Sequence, residues 1–364
     1  MKINPLRTGY LWLMFRKRIA PLAWIACLAG LENSIAAQAQ TPGITLTRET
    51  GQVVVKMGGK LFTRYIHQPG LMAGCKKPVL FPILTAKGTP ITRGFPVAPR
   101  PGERVDHPHH VGMWLNYGDV NGHDFWNNSD NIGPEHKGPF GTIRHTGTPR
   151  IKQGKTRAQL TVTADWLDKN GKPMLKETTV FTFSGDSVLR IIDRATTLAA
   201  LNKDVSLKDN KEGLMAIRVA RQLEHPSQKP EIFTDASGKA TAVPVMDNTG
   251  VTGRYRSSEG TEGEAVWGKR AKWMNLTGEI NGEAISVAIL DHPRNAGYPA
   301  YWHARGYGLY AANPLGAKAF TEGKEELNFN IPAGKSATFR YRTVVASKKL
   351  TDAELQKLSA DFAR

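Results

Sequence analysis

The chain has 364 residues, 49 Lys and Arg against 32 Asp and Glu, and a net charge of +17. The charge is spread along the chain, with no block of five or six basic residues and no aromatics interleaved with basic runs, which argues against nucleic-acid binding and for solubility and attraction to anionic glycans. Beyond the amino terminus no segment approaches eighteen uninterrupted apolar residues, so no membrane span is expected there.

Residues 1–39 read as a secretory signal peptide. Lys2, Arg7, Arg16, Lys17 and Arg18 form a basic start, Ile19 to Leu31 an apolar run, and Ala37-Gln38-Ala39 the small residues of a cleavage site. Their removal takes away five basic residues and Glu32, which brings the charge from +17 to +13. The mature protein is then expected to be secreted or periplasmic. Only Cys75 remains, so no internal disulfide forms and the core must hold the fold.

The rest reads as strand and turn. Ile44 to Thr47, Gln52 to Met57 and Lys60 to Tyr65 form an opening meander broken at Glu49-Thr50-Gly51 and Gly58-Gly59. Pro78 to Leu84 is a short apolar strand. Ala158 to Trp166, Leu175 to Phe183 and Val188 to Thr197 follow with hairpin turns between them. Alternation of Leu160, Val162 and Ala164 with Thr161, Thr163 and Asp165 puts one face in a core and one in solvent. Ala284 to Leu290, Gly306 to Ala312 and Ala337 to Val345 continue the pattern. Residues 40–350 are thus expected to form one all-β domain, a large antiparallel β-sandwich, and residues 351–364 a short C-terminal helix capped by Thr351.

Chemistry gathers between Arg104 and Trp126. Asp106, His107, His109 and His110 fall within five residues, and Asp119, Asn121, His123, Asp124 and Trp126 follow. Histidine changes charge near neutral pH, and such groups packed among Trp114, Phe125 and Trp126 indicate a cleft that tunes them. Three clusters lie downstream: Glu212 with Arg218, Asp291 with His292, and Tyr301-Trp302-His303-Ala304-Arg305-Gly306-Tyr307, where aromatic rings beside His303 and Arg305 suggest a sugar platform. His107, His109 and His110 could also hold a divalent metal, although a spaced third ligand is missing from the pattern. No Gly-rich phosphate loop, G-x-S-x-G elbow or C-x-x-C is present.

DHPHH-x-G-x-W, GDVNG-x-DFW, KEG-x-x-x-IRV and DHPRN with YP-x-YWHARGYGLYAANPLG resemble the PmoA-like family of exported bacterial proteins, a domain of unknown function once labelled a methane oxygenase subunit. The resemblance runs from about Arg64 to Val345. It implies a galactose-mutarotase-like β-supersandwich and a role in carbohydrate metabolism, and its motif positions here are His107, His109, His110, Asp119, Asn121, Asp124, Glu212, Arg218, His292, His303 and Arg305. Val111 and His123 depart from the pattern.

The expected function is that of an exported carbohydrate-active enzyme using His/carboxylate acid–base catalysis. His107, His109, His110, Asp124, Glu212 and His303 would carry the chemistry. Arg93, Trp114, Asp119, Asn121, Trp126, Arg218, His292, Trp302 and Arg305 would bind substrate. Hydrolysis, elimination and epimerisation stay open. The alternatives are a non-catalytic glycan-binding protein and a metal-dependent hydrolase or oxygenase. The expected partner is a carbohydrate, neutral or anionic, and no cofactor is expected.

Overall fold

A computed structural model describes residues 43–364 apart from residues 134, 136, 137, 236, 238 and 244–246. The expected signal segment lies outside the described residues. In chain order the strands are β1 (Ile44–Glu49), β2 (Gln52–Met57), β3 (Lys60–Ile66), β4 (Val79–Ile83), β5 (Met113–Tyr117), β6 (Thr142–Lys152), β7 (Arg157–Leu167), β8 (Pro173–Gly185), β9 (Leu189–Ala200) and β10 (Val205–Leu207). They continue with β11 (Gly213–Arg218), β12 (Glu231–Thr234), β13 (Ala240–Val243), β14 (Arg254–Ser257), β15 (Trp273–Ile280), β16 (Glu283–Asp291), β17 (Tyr301–Ala304), β18 (Leu309–Asn313), β19 (Phe329–Ile331) and β20 (Ser336–Ala346). Among the described residues two α-helices accompany them, α1 (Ala317–Phe320) and α2 (Asp352–Ala363).

Two eight-stranded sheets dominate. Sheet one runs β1-β2-β3-β4-β5-β11-β18-β17 and sheet two runs β14-β15-β16-β20-β9-β8-β7-β6. The paired strands within both are antiparallel. The all-β sandwich expected from the alternating segments is therefore the observed architecture. The cause is visible in β7, where Ala158, Leu160, Val162, Ala164 and Trp166 are buried and the residues between them are only half-buried. A period of two sends one set of side chains to each face of a strand.

The main core lies between the sheets. Val55, Leu115, Met215 and Tyr310 from sheet one belong to the same cluster as Leu160, Phe181, Ile192, Val287 and Tyr341 from sheet two. Each sheet also has a covered outer face. On sheet two, Leu290 and Val344 pack with Leu355 of α2. That helix starts at a capping box, with Thr351 accepting from Glu354 N and Glu354 reaching back to Thr351 N. On sheet one a separate cluster of Phe81, Val111, Trp114, Trp126, Ala216 and Ala311 forms the bed of the candidate site. Among the described residues no helix is long and apolar enough to cross a membrane.

One strand starts later than its sequence suggests. Gly306 to Ala312 reads as continuous strand, but β18 starts only at Leu309. Gly308 N bonds back to Arg305 O at 3.0 Å, and Gly308 has φ +89, so residues 305–308 close a tight turn instead.

Candidate functional site

β5, β11, β18 and β17 lie side by side, and their register carries one row of residues across the outer face of sheet one. Trp114 stands opposite Ala216, Ala216 opposite Ala311, and Ala311 opposite His303. Strands in a sheet are ~4.8 Å apart, so Trp114 and His303 stand ~14 Å apart at the two ends of this row. Ala216 and Ala311, both fully buried, fill the row between them. Their neighbours Met215, Ile217, Tyr310 and Trp302 point the other way, into the core between the sheets.

Over the Trp114 end sits the loop that precedes β5. Arg93, buried, gathers it: Nη1 donates to Asp106 O at 2.8 Å and Asp106 Oδ1 at 2.7 Å, and Nη2 to His107 O at 2.9 Å and His110 O at 3.1 Å. Buried Lys77 donates from Nζ to His109 O at 2.7 Å. Gly112 closes the loop at φ +57, where a Cβ would stand 2.2 Å from Leu80 O, so only glycine fits.

Asp106 is the hub of this corner. Its Oδ1 takes Arg93 at 2.7 Å and Arg218 at 2.6 Å, and its Oδ2 takes His107 Nδ1 at 2.6 Å. Burial works to raise the carboxyl, but Arg218, the His107 hydrogen bond and Arg93 outweigh it and hold Asp106 far below the usual carboxylate range. A carboxylate so ionised accepts only, so the hydrogen bond at Nδ1 of His107 is donated by the ring and Nε2 is left as its free nitrogen. The ring is further fixed by stacking. Tyr307, His107, His110 and Trp114 form a column with centroid separations of 5.2, 4.8 and 5.2 Å. His107 is held at φ +44, a left-handed conformation costing a non-glycine residue ~1 kcal/mol or more.

Glu212 meets this corner from the β11 side. Gly118 N donates to Glu212 O at 2.8 Å, and a Cβ on Gly118 would come within 2.9 Å of Glu212 Cβ. Lys211 Nζ contacts Glu212 Oε1. Behind it, His303 Nδ1–H donates to Lys211 O at 2.9 Å and lies 3.6 Å from Glu212 Oε2. Burial pushes His303 down to about 4 although Glu212 pulls the other way, so at neutral pH this contact is not an ion pair.

Between the two sides opens a cleft of about 590 Å³ whose lining includes His107, His109, Asp124, Asn127, Phe140 and Glu212. His109 is 6% exposed, and neither of its ring nitrogens has a hydrogen-bond partner among the described residues. Burial first, then Lys77 and His107, keeps its imidazole well below the ordinary range, hence neutral. The arrangement suits proton transfer: an oriented imidazole and a carboxylate face one space, with the neutral His109 ring in its lining.

A family profile matches residues 52–360 and defines DUF6807, a family of unknown function. The chain belongs to DUF6807. This corrects the expected PmoA-like membership, to which nothing in the comparisons points. No curated relative matches the chain. Among solved structures it is similar to the GH36 α-galactosidase AgaB from Geobacillus stearothermophilus, at 13% identity and TM-score 0.39, over 84% of this chain and 40% of that one. The GH36 α-galactosidase AgaA from the same organism is similar at 11% identity and TM-score 0.38, over 84% and 41%. A variant of a glycoside hydrolase family 97 enzyme from a Pseudoalteromonas species is similar at 8% identity and TM-score 0.28, over 84% and 34%. The chain thus spans less than half the length of each of these solved chains.

In this DUF6807 chain the expected site residues divide. His107, His109, Asp124 and Glu212 line one cleft, with His303 one contact behind Glu212. His110, Trp114, Trp126, Arg93 and Arg218 are all buried and act from beneath. Arg218 bonds Asp106 and His110 Nδ1, while Trp114 and Trp126 pack against His110. Asp124 lines the cleft, but Oδ1 already accepts from Trp126 N at 2.8 Å and Asn127 N at 3.0 Å, and Oδ2 from Asn127 Nδ2 at 2.7 Å. Burial, outweighing those bonds, raises its carboxyl.

Several expectations need correcting. Trp302 is not a sugar platform: it lies in the core between the sheets, with Nε1 donating to Ala271 O at 3.0 Å. Tyr307 cannot serve as one either, because His107 stacks on its ring at 5.2 Å and the Arg218 guanidinium lies 4.9 Å from its centroid. His292 packs on Phe362 of α2, on the outer face of sheet two. Asp119 and Asn121 build a turn: Asp119 Oδ1 accepts from Gly122 N at 2.9 Å, and Asn121 bonds Ser206 N and Asp204 O. Arg305 lines a neighbouring cleft, lying over Trp267. The three histidines do not converge as ligands, since His107 and His110 stack face to face and their Nδ1 atoms are engaged by Asp106 and Arg218. Among the described residues no group of three His, Cys, Asp or Glu is placed to hold a metal ion.

Asp106 is the residue that sequence reasoning gave no role. Its signal was its place beside His107 within a histidine cluster. Lys77 and Phe140 carried no signal, because only the fold brings them to the cleft.

Proposed function

We propose that the cleft is the active site of an exported enzyme that moves protons on a carbohydrate. His107 is the principal acid–base group, with Asp106 orienting it, and Glu212 and His109 acting on the same substrate. The single observation that carries this reading is the Asp106–His107 pair. A carboxylate locked by two arginines fixes the tautomer of a half-exposed imidazole, the same orienting logic that serves acid–base and nucleophilic triads. When Nε2 takes a proton from a substrate hydroxyl or carbon, Asp106 stabilises the imidazolium that forms. Glu212 then faces the group left behind.

The substrate class rests on the lining. Phe140 is half-buried in the cleft lining, an aromatic ring of the kind on which the apolar side of a sugar stacks. Around it His107, Asn127 and Glu212 supply hydrogen-bonding groups for hydroxyls. A binding protein would need the ring and the polar rim. It would not need a strained, carboxylate-oriented histidine.

Turnover of a panel of oligosaccharides by the purified protein tests this directly. His107→Gln is expected to lower kcat at least 100-fold, the range general acid–base catalysis supplies, with a melting temperature close to that of the parent. A His107→Gln protein that keeps full kcat on a substrate the parent turns over would sink the reading.

A further inference from the structure

A second cleft of about 570 Å³ lies beside the first, with Trp267, Arg305, Tyr307, His225, Glu264 and Lys229 in its lining. The two share a wall: Tyr307 lines the second and stacks on His107, which lines the first. We infer that this second cleft is a separate subsite that binds a hexuronate unit of the carbohydrate whose neighbouring unit occupies the acid–base cleft. The inference rests on the carbohydrate reading above and adds to it that the substrate is acidic and at least two sugar units long.

Arg305 supplies the charge. It is exposed, its guanidinium lies 5.6 Å from the Trp267 ring centroid, and it has no carboxylate within ion-pair distance among the described residues. Stacking on an aromatic ring holds the planar fork in place while leaving its N–H groups free for a carboxylate, which the fork can grip with two bonds. Trp267 is itself braced by Phe320, ring centroids 5.4 Å apart and nearly perpendicular.

The buried polar atoms give independent support. His225 is 8% exposed and lines the cleft, yet its Nε2 is buried with no hydrogen-bond partner among the described residues. Trp267 Nε1, a donor only, is in the same condition. Native proteins rarely leave such atoms unpaired unless something else completes them. An indole N–H and an imidazole nitrogen able to carry a proton, beside a guanidinium, favour an acceptor-rich group, as a carboxylate and its ring oxygens are. Glu264, also in the lining, can accept hydrogen bonds from sugar hydroxyls, while Glu231 there is paired with Arg104 at 2.8 Å.

The assignment also explains why Arg305 is absent from the acid–base corner. That corner already has Arg93 and Arg218 committed to Asp106. Arg305 is then a specificity residue, reading charge one sugar unit away from the chemistry.

The test is titration of the mature protein with D-glucuronate, D-galacturonate, D-glucose and inorganic sulfate, following the indole N–H resonance of Trp267, assigned with Trp267→Phe. At least one uronate is expected to move that resonance saturably, while glucose and sulfate do not. Arg305→Gln is expected to weaken the uronate at least tenfold, and His107→Gln to leave it unchanged. Silence from both uronates, an equal response to glucose or sulfate, or unaltered uronate affinity in Arg305→Gln overturns the subsite. The acid–base reading fails separately, through retained turnover in His107→Gln, so the two outcomes are distinguishable.

Discussion

At the scale of single residues the site is made by protonation states, and His303 shows how far burial sets them. Its imidazole is held near 4, against an ordinary value near 6.5. Below pH 6.5 the unfolded chain therefore binds more protons at this position than the folded one. The stability that neutral His303 contributes is complete above pH 6.5 and is lost as the pH falls towards 4. Asp291 acts in the opposite sense: burial, opposed by its bonds to Asn295, Ala300 and His292, raises it to about 7, so its contribution declines as the pH climbs from about 4 to 7. The net curve sums such terms, and the informative quantity is a difference. Replacing His303 with Gln is expected to shrink the stability lost between pH 7 and pH 4 by up to ~3 kcal/mol, the free energy of the shift. Denaturant unfolding at both pH values checks this, and an unchanged difference would mean that His303 titrates normally.

At the scale of elements, the sheets were legible and the site only partly so. Period-two alternation in Ala158 to Trp166 is a direct statement about two faces of a strand, and the observed burial follows it residue by residue. The Arg104–Trp126 stretch could be recognised as a place of chemistry because polar groups so dense among aromatics must pair or face a wet pocket. What could not be read was which partners they take. Asp106 meets Arg93 and Arg218, the latter more than a hundred residues away, only because β11 pairs with β5. Trp302 looked like a platform because an aromatic beside His and Arg has the right composition, yet alternation along β17 turns it inward and His303 outward. Register decided both cases, and register is a long-range property.

Glycines at the ends of these elements allow a clean separation of packing from strain. A Cβ at Gly118 would press on Glu212 Cβ at 2.9 Å and on Asn210 Cγ at 3.0 Å, whereas Gly122, at φ +78, has nothing within 4 Å. Gly118→Ala is expected to displace the 210–212 segment and reduce turnover at least tenfold. Gly122→Ala should cost ~1 kcal/mol of stability through its left-handed backbone and leave turnover intact. Equal kinetic damage from both would show that Glu212 placement is not what Gly118 secures.

At the scale of the whole molecule, the sandwich keeps its two tasks on different faces. The interior between the sheets is a continuous apolar core. The outer face of sheet two is closed by α2. The outer face of sheet one carries Trp114, Ala216, Ala311 and His303 in a row, with the Asp106–His110 loop laid over one end and Glu212 close to the other. Small side chains in mid-row are packed beneath the loop, and a rigid sheet holds the groups above it to fixed separations. The basic charge of the chain, +17 over 364 residues, adds a long-range pull on acidic polymers.

A crystal structure of the protein soaked with an oligosaccharide that it turns over, or with an acidic oligosaccharide, tests the central claim most directly. One sugar unit is expected in the cleft beside Phe140, with an oxygen or ring carbon within ~3 Å of His107 Nε2, the reach of a general acid or base. Sugar density confined to another surface, with the His107 and Glu212 side chains untouched by it, would contradict the claim.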